Sequence, residues 1–349
     1  MANAAEEKVL NIYNWSDYIA PDTIKNFEKE TGIKVRYDVF DTNEILHAKL
    51  IARNTGYDIV VPSSNWAKLQ IAGGLFQKLD KRKLTHYGNL DAGLLAKLAD
   101  IDPGNQYLVD WMWSYNTVGI NVDKVKKALG ATTMMPDDAW ALIFNPKYAD
   151  KLKSCGISFL DTAIDVVPAA LHYMGKNPYS NDLADYYAVF EMLKKVRPDI
   201  RRFSSGGQID DLVSGSICVA YGWAGDFTLA RKKSIENNMP QNIVALVPKN
   251  GGLMFMDTMA IPADAPHPEN ALKFINYVLQ PQVVAAITNT VTYANPNRAA
   301  TPFVAADIRN NKSIYLSDAD IARLIAPGTV DNKTRRLMTR LFTRFKSDL

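Results

Sequence analysis

The chain has 349 residues, 47% of them hydrophobic and 22% charged, a globular composition too long for one ordinary core, which predicts two lobes. Its formal net charge of +3 comes from 40 basic and 37 acidic side chains scattered along the chain, which excludes a polybasic surface for nucleic acid or anionic lipid. The longest apolar runs are strand-length, far below the roughly 20 residues of a membrane-spanning helix, so no direct membrane insertion is expected.

The start of the chain, residues 1–7, has the small-residue character of a signal-peptide cleavage point, with an initiator Met where the leader would be. We therefore expect an exported protein. A cytoplasmic protein with an unstructured start is the alternative for this segment.

The first hundred residues alternate between strand and helix patterns. Repeated βα units of this kind predict an α/β fold with a mainly parallel sheet. The predicted elements are a strand at 9–13, a helix at 21–29 with Gly32 beyond its end, a strand at 35–40, a helix at 44–53 and a buried strand at 57–61.

Two loops of this first region carry aromatic and hydroxyl side chains. Residues 14–18 follow the first predicted strand, and residues 62–66 follow the third. Ligands of open α/β sheets bind beyond the carboxyl ends of the strands, so both loops are predicted at the mouth of one lobe.

A second set of strand patterns predicts the second lobe. A return segment containing Gly251 and Gly252 then leads into a strand-like run that ends at Ile261. We assign residues 8–112 and 248–297 to the first lobe and residues 113–247 and 298–349 to the second, with two hinge crossings. The predicted strands of this region lie at 118–121, 156–161, 217–220 and 243–247.

The two cysteines, Cys155 and Cys218, border runs predicted to be buried strands. Either side chain is compatible with an inert core thiol. In an oxidising compartment the pair would close one disulfide, to which the loop-entropy model assigns about 4 kcal/mol. No Cys or His spacing typical of a zinc site is present.

Catalytic motifs are absent from the sequence. The four histidines are isolated from one another, and there is no HExxH, no P-loop, no GxGxxG after a strand and no GxSxG. The sequence therefore disfavours an enzyme, and no metal or other cofactor is expected.

Aromatic side chains stand close to aspartate at residues 15–18, 223–226 and 255–257, with Tyr293 following. A primary ammonium has three donors and no acceptor, so carboxylates and hydroxyls satisfy it, while aromatic faces cover a methylene chain and attract the charge. The pattern predicts a site for a slim organic cation. For any one motif, core packing of the aromatic and capping by the aspartate are the alternative.

Several blocks resemble the polyamine-binding proteins of bacterial spermidine and putrescine ABC importers, over nearly the whole chain. The resemblance implies a type II periplasmic binding protein fold, with two α/β lobes and a ligand cleft between them, in a monomer that delivers a polyamine from the periplasm to an ABC permease. These blocks are LNIYNWSDYIAPDTIKNFEKETGIKV, YDIVVPSS, CGISFLD, ICVAYGWAGD, FMDTMAIPADAP and TYANPNRAATP.

The resemblance also implies roles for individual residues. Asp257 resembles the carboxylate that grips one terminal ammonium, and Trp15, Trp223 and Phe255 resemble an aromatic box around the carbon chain. Asp226 resembles a carboxylate of putrescine-type members, which favours a diamine. The full predicted ligand-binding set is Trp15, Ser16, Asp17, Tyr18, Ser63, Trp66, Asp165, Gln208, Trp223, Asp226, Phe255, Asp257 and Tyr293.

The chain departs from this family at several of these positions. Asp165 stands where relatives usually carry a glutamate, Asn65 and Trp66 replace smaller residues, and the segment around Gln208 differs as well. Residues 110–116 differ from the more usual proline- and glycine-containing version near the hinge. Agmatine, cadaverine and spermidine are therefore alternative ligands, and a sensor that presents the amine to a signalling receptor is the alternative role.

Overall fold

A computed structural model describes residues 6–239 and 241–347. The described chain divides into two compact units. The first unit contains the residues through Trp113 together with Phe255–Asn311, and the second contains Ser114–Met254 and the residues from Lys312 onward. The division therefore falls at 113/114, 254/255 and 311/312, where the sequence predicts 112/113, 247/248 and 297/298. Of the expected cleavage signature, residues 1–5 lie outside the described residues.

The elements follow in chain order. The first unit begins with β1 (Val9–Trp15), α1 (Thr23–Thr31), β2 (Lys34–Phe40), α2 (Asn43–Ala52), β3 (Ile59–Val60), α3 (Ser64–Ala72) and α4 (Ala92–Leu98), and β4 (Val109–Asn121) leads into the second unit. There follow α5 (Val122–Leu129), α6 (Ala141–Phe144), α7 (Pro146–Leu152), β5 (Ile157–Phe159), α8 (Ala163–Tyr173), α9 (Leu183–Val196), β6 (Ile200–Phe203), α10 (Gln208–Ser214), β7 (Val219–Trp223), α11 (Ala224–Glu236) and β8 (Ile243–Ala245). The chain returns through β9 (Leu253–Met259) to α12 (Pro268–Val278), α13 (Pro281–Val291) and α14 (Ala306–Arg309), and ends in the second unit with α15 (Asp318–Arg323) and α16 (Asn332–Ser347). Four short 3₁₀ helices lie among the described residues, at Lys81–Lys83, Tyr87–Asn89, Arg197–Asp199 and Arg298–Phe303.

The first unit contains a parallel sheet in the order β2-β1-β3. All five elements predicted for this region are present, although α1 begins at Thr23 and β3 is confined to Ile59–Val60. Gly32 ends α1 with a φ of +70°, a left-handed conformation that favours glycine. Because all three strands run the same way, the loops after β1 and β3 leave the sheet at the same edge.

The second unit contains a mixed sheet in the order β6-β5-β7-β4-β8. Strand β5 is parallel to β6 and β7, whereas β4 is antiparallel to β7 and β8, and β9 pairs with β4. The sequence predicts the strands here but not the direction of β4. This strand enters from the first unit instead of following a helix of the second, so the rule that a βα connection leads to a parallel strand does not constrain it.

Helix α16 shows how the second unit closes its core. Its buried residues recur at three- and four-residue intervals, which places them on one face of the helix. That face packs with α8 and α9 in the largest core cluster of the unit. The buried residues are Thr334, Leu337, Met338, Leu341, Phe342 and Phe345.

None of the helices in residues 6–239 and 241–347 is both long enough and apolar enough to cross a membrane.

A disulfide joins Cys155 to Cys218, whose Cα atoms lie 5.4 Å apart. Cys155 stands two residues before β5 and Cys218 directly before β7, and these parallel strands are neighbours through the pair Ile157 and Val219. The strand pairing therefore brings the cysteines together, and the predicted disulfide is confirmed. The bond links positions 63 residues apart in sequence.

Replacing both cysteines with serine is expected to lower the free energy of unfolding by about 2 to 4 kcal/mol, because the unfolded chain regains the conformations that the closed loop excludes. Urea unfolding measures the change. The free energy of unfolding of the wild-type protein should be lower by a similar amount when urea unfolding is carried out in reductant. Two reactive thiols in the unfolded, non-reduced wild-type protein would contradict the bond.

Candidate functional site

The carboxylate of Asp257, on β9, is the centre of a hydrogen-bonded group in the first unit. Its Oδ2 accepts a hydrogen bond from the hydroxyl of Tyr18 at 3.0 Å, and its Oδ1 accepts one from Oγ of Ser63 at 2.6 Å. Asp257 is only 6% exposed. The two loops predicted to carry ligand residues, after β1 and after β3, therefore meet at one buried carboxylate.

Backbone pairing explains how a residue so late in the chain reaches these loops. Isolated antiparallel bridges join Val60 to Ala260 and Ser63 to Asp257. The carbonyl of Pro62 accepts hydrogen bonds from both the backbone N–H and the hydroxyl of Thr258. Strand β9 is thus fixed against the carboxyl end of β3 and the residues that follow it.

Asn43, at the first position of α2, is a member of this group that sequence reasoning missed. Its Oδ1 accepts a hydrogen bond from the backbone N–H of Ser63, and its Nδ2 donates to Oγ of the same residue at 3.2 Å. Ser63 is therefore held with its hydroxyl toward Asp257. Asn43 is buried. In sequence it is indistinguishable from a helix-capping residue, although the side chain that caps α2 is that of Thr42.

Three aromatic side chains lie on the segments that carry the carboxylate and its partners. The ring of Tyr293 lies 5.5 Å edge-on from Tyr18 and 6.3 Å from Phe255, measured between centroids. The indole N–H of Trp15 donates to the carbonyl of Val61 at 2.9 Å, two residues before Ser63. The structure therefore brings together Tyr18, Ser63, Phe255, Asp257 and Tyr293 of the predicted set, and it bonds Trp15 to the backbone just before Ser63.

The remaining predicted residues of the first unit lie in the same loops with other contacts. Ser16 and Asp17 are exposed, and the hydroxyl of Ser16 donates to Asp41 at 3.4 Å. The ring of Trp66 lies 5.1 Å from that of His47. These contacts place the three side chains on the loops without linking them to Asp257.

The second unit gathers its own predicted residues around Asn116. Oδ1 of Asp165 accepts a hydrogen bond from Nδ2 of Asn116 at 3.0 Å, and Asn116 is the register partner of Trp223 across β4 and β7. Asp226 lies in the first turn of α11, the helix that begins directly after Trp223. The structure therefore links Asp165 and Trp223 to the same residue, Asn116, and places Asp226 three residues after Trp223. The sequence singles out Asn116 only as part of the unusual segment 110–116.

Gln208 has a different environment. It is 2% exposed, and its Nε2 donates both to Oγ of Ser158 and to the carbonyl of Tyr221. Its amide nitrogen therefore donates to two acceptors within the protein, one of them the carbonyl of Tyr221 on β7.

Asp110, on β4, is a further buried carboxyl of the first unit. Burial raises the pKa of Asp110 well above its ordinary value, and the negative charge of Asp257 raises it further. Burial and the same charge of Asp257 also raise the pKa of Tyr18, so the phenol stays a hydrogen-bond donor. The region thus combines acidic groups, hydroxyl donors and aromatic faces.

This chemistry suits an organic ammonium better than a metal ion. Carboxylate oxygens accept the ammonium N–H groups, and aromatic faces attract the charge and cover apolar carbon. No group of three or more His, Cys, Asp or Glu side chains placed to hold a metal ion occurs in residues 6–239 and 241–347.

A family model for bacterial extracellular solute-binding proteins matches residues 22–312. The chain belongs to this family. Because the family consists of solute-binding proteins, the prediction of a binding protein rather than an enzyme is confirmed. The name of the family also agrees with the expected export.

The chain is 49% identical over 346 residues to the putrescine-binding periplasmic protein of Escherichia coli K12, covering 99% of this chain and 93% of that protein. It is 46% identical to a putrescine-binding periplasmic protein of Pseudomonas aeruginosa, covering 99% and 94%. Among solved structures, a spermidine/putrescine transporter substrate-binding protein from Streptococcus pneumoniae has a TM-score of 0.84 at 25% identity, covering 98% and 99%. These findings confirm the predicted resemblance and fold class.

In the unliganded wild-type protein the free energy of unfolding is expected to fall as the pH rises above about 4, because Asp110 is buried. Replacing Asp110 with asparagine is expected to remove this dependence on pH. The unfolded chain releases this proton near pH 4, whereas the folded protein retains it because the pKa of Asp110 is raised. Wild-type stability should therefore fall, relative to the variant, as the pH rises from about 4, by at most about 1.4 kcal/mol per pH unit.

Urea unfolding of both proteins between pH 4 and pH 7 measures this difference. Asp22→Asn is the matched control, because Asp22 is exposed and caps α1 without a side-chain hydrogen bond. A constant difference between wild type and Asp110→Asn across this range would contradict the raised pKa.

Proposed function

We propose that the chain is a periplasmic binding protein that captures a diamine such as putrescine and delivers it to an ABC permease. The observation that carries the proposal is the carboxylate of Asp257, buried among the hydroxyls of Tyr18 and Ser63 and beside the rings of Phe255 and Tyr293. The putrescine-binding names of relatives at 49% and 46% identity support it.

The first unit supplies the groups for one ammonium. Two hydroxyl donors already fix the orientation of Asp257, so its carboxylate needs little rearrangement when a cation arrives. A charge-assisted hydrogen bond to this carboxylate and cation–π contacts with the neighbouring rings would each favour the bound ammonium.

We further propose that carboxylates of the second unit also bind an ammonium group. Asp165, Trp223 and Asp226 have the residue types that this role needs, and the side chain of Asp165 is oriented by Asn116. One protein molecule would bind one diamine as a monomer.

The test of the amine class is calorimetry with putrescine, cadaverine, agmatine and spermidine. Asp257→Asn is expected to weaken the binding of each amine that binds by more than about tenfold, because the ammonium loses its charged acceptor. Asp22→Asn, which removes an exposed charge of the same unit, should leave affinity unchanged. No binding by any of the four amines at millimolar concentration would reject the proposal.

The role of the second unit has its own test, which compares putrescine with butylamine, a ligand of similar length with a single charge. Asp226→Asn is expected to weaken putrescine binding about tenfold and to change butylamine binding little, because only the diamine presents a second ammonium. Asp257→Asn should weaken both ligands.

The matched control is Asp210→Asn, which removes an exposed charge on α10 of the same unit. Equal effects of Asp226→Asn on putrescine and butylamine would show that the second unit does not distinguish the second charge.

A further inference from the structure

Asp110 is a buried carboxyl group that the proposed role of the site does not yet use. It is 3% exposed, and neither of its carboxyl oxygens has a hydrogen-bond partner among the described residues. Buried carboxyls are normally paired with a donor or a cation, because an unpaired one costs desolvation without compensation. An orphaned carboxyl at a binding site indicates a partner that arrives from outside the chain.

The position of Asp110 ties it to the ligand residues of the first unit. Its strand, β4, pairs with β9, which carries Phe255 and Asp257. Further along the same strand, the backbone N–H of Trp113 donates to the carbonyl of Ala294, the residue after Tyr293. Two segments that carry ligand residues are thus paired to the strand that carries Asp110.

The groups that act on Asp110 are acidic or neutral. The charge of Asp257, on β9, raises the pKa of Asp110, and Asp110 in turn contributes to the raised pKa of Tyr18, in the loop after β1. Tyr293, whose ring packs against Tyr18, is the other titratable group of this cluster. None of these three neighbours is a cation, so the group that would stabilise an ionised Asp110 is one that the cluster itself does not contain.

We propose that Asp110 is a further ligand-binding residue of this site, which ionises and pairs with the ligand's ammonium group beside Asp257 when the diamine binds. In the empty protein the raised pKa of Asp110 favours its neutral carboxylic acid form. This inference rests on the proposed function, since it assigns the cation that completes the cluster.

The proton balance of this step is simple. The amine of the ligand is already an ammonium at neutral pH, since an alkyl amine titrates near 10. The proton lost on binding therefore comes from the carboxyl O–H of Asp110 and passes to solvent, and the resulting carboxylate accepts an N–H of the ligand. Because binding releases a proton, affinity rises with pH wherever the empty protein holds Asp110 protonated and the complex holds it ionised.

The experiment is calorimetric titration of putrescine into the wild-type protein between pH 5 and pH 8, in phosphate and in Tris. The two buffers differ in ionisation enthalpy, so the difference in observed heat counts the protons released. We expect up to one proton per putrescine, and an association constant that rises by at most about tenfold per pH unit over that interval. Asp110→Asn should release no proton from this site and should bind putrescine about tenfold more weakly.

Two outcomes overturn the inference alone: putrescine binding with no proton release across the whole pH range, or unchanged affinity in Asp110→Asn. If Asp110 had only a structural role, the affinity of Asp110→Asn for putrescine would be unchanged. The control variant Asp22→Asn removes an exposed charge. It should release as many protons per putrescine as the wild-type protein and bind putrescine with the same affinity. If putrescine and the other amines fail to bind the wild-type protein at all, the proposed function fails and this inference fails with it. The proton count uses unmodified protein, so the test stands even if Asp110→Asn does not fold.

Discussion

The binding chemistry of the first unit depends on one backbone interaction, the pairing of β9 with the carboxyl end of β3. That pairing carries Asp257 from a distant part of the chain to the hydroxyl of Ser63, 194 residues earlier, and to Tyr18, 239 residues earlier. Without it the two loops after β1 and β3 would present hydroxyl and aromatic groups without the buried carboxylate of Asp257. The carboxylate gives this polar corner of the sheet a buried acidic group.

The electrostatics of that corner would favour a cation as its occupant. Acidic side chains are gathered in a poorly solvated region, where like charges repel and unpaired carboxyls are costly. Hydroxyl donors such as Tyr18 relieve part of this cost, and its raised pKa keeps the phenol protonated for that purpose. An ammonium relieves more, because it brings a full positive charge and three donors.

The sequence predicted most of the architecture because its signals are local. The βα winding of the first hundred residues, the glycine that ends α1 and the cysteines that border β5 and β7 can be read from neighbouring residues alone. The direction of β4 could not be predicted, since it depends on pairing with strands about a hundred residues later. Within the site, the family resemblance named Asp257 and its aromatic neighbours, which periodicity alone could only suggest.

The residues that sequence reasoning missed are those whose roles arise only from packing. Asn43 reads as a helix cap, yet its side chain holds Ser63 in place. Gln208, which the sequence predicts to bind ligand, donates its amide nitrogen to Ser158 and Tyr221, contacts that the sequence does not predict. For both residues the side chain suits either the predicted role or the observed contacts. Only the positions of the surrounding atoms show which contacts the side chain makes.

Both ends of the segment 110–116, which departs from the expected family pattern, lie near acidic side chains. One is at position 165, where the resemblance leads us to expect a glutamate and this chain carries the shorter aspartate. Its carboxylate receives a hydrogen bond from Asn116, the last residue of that segment. The donor fixes the orientation of the shorter side chain, so less freedom is lost when a ligand binds. At the other end of the segment, Asp110 adds a carboxyl near Asp257. A single strand thus carries both Asp110 in the first unit and Asn116, which orients Asp165 in the second.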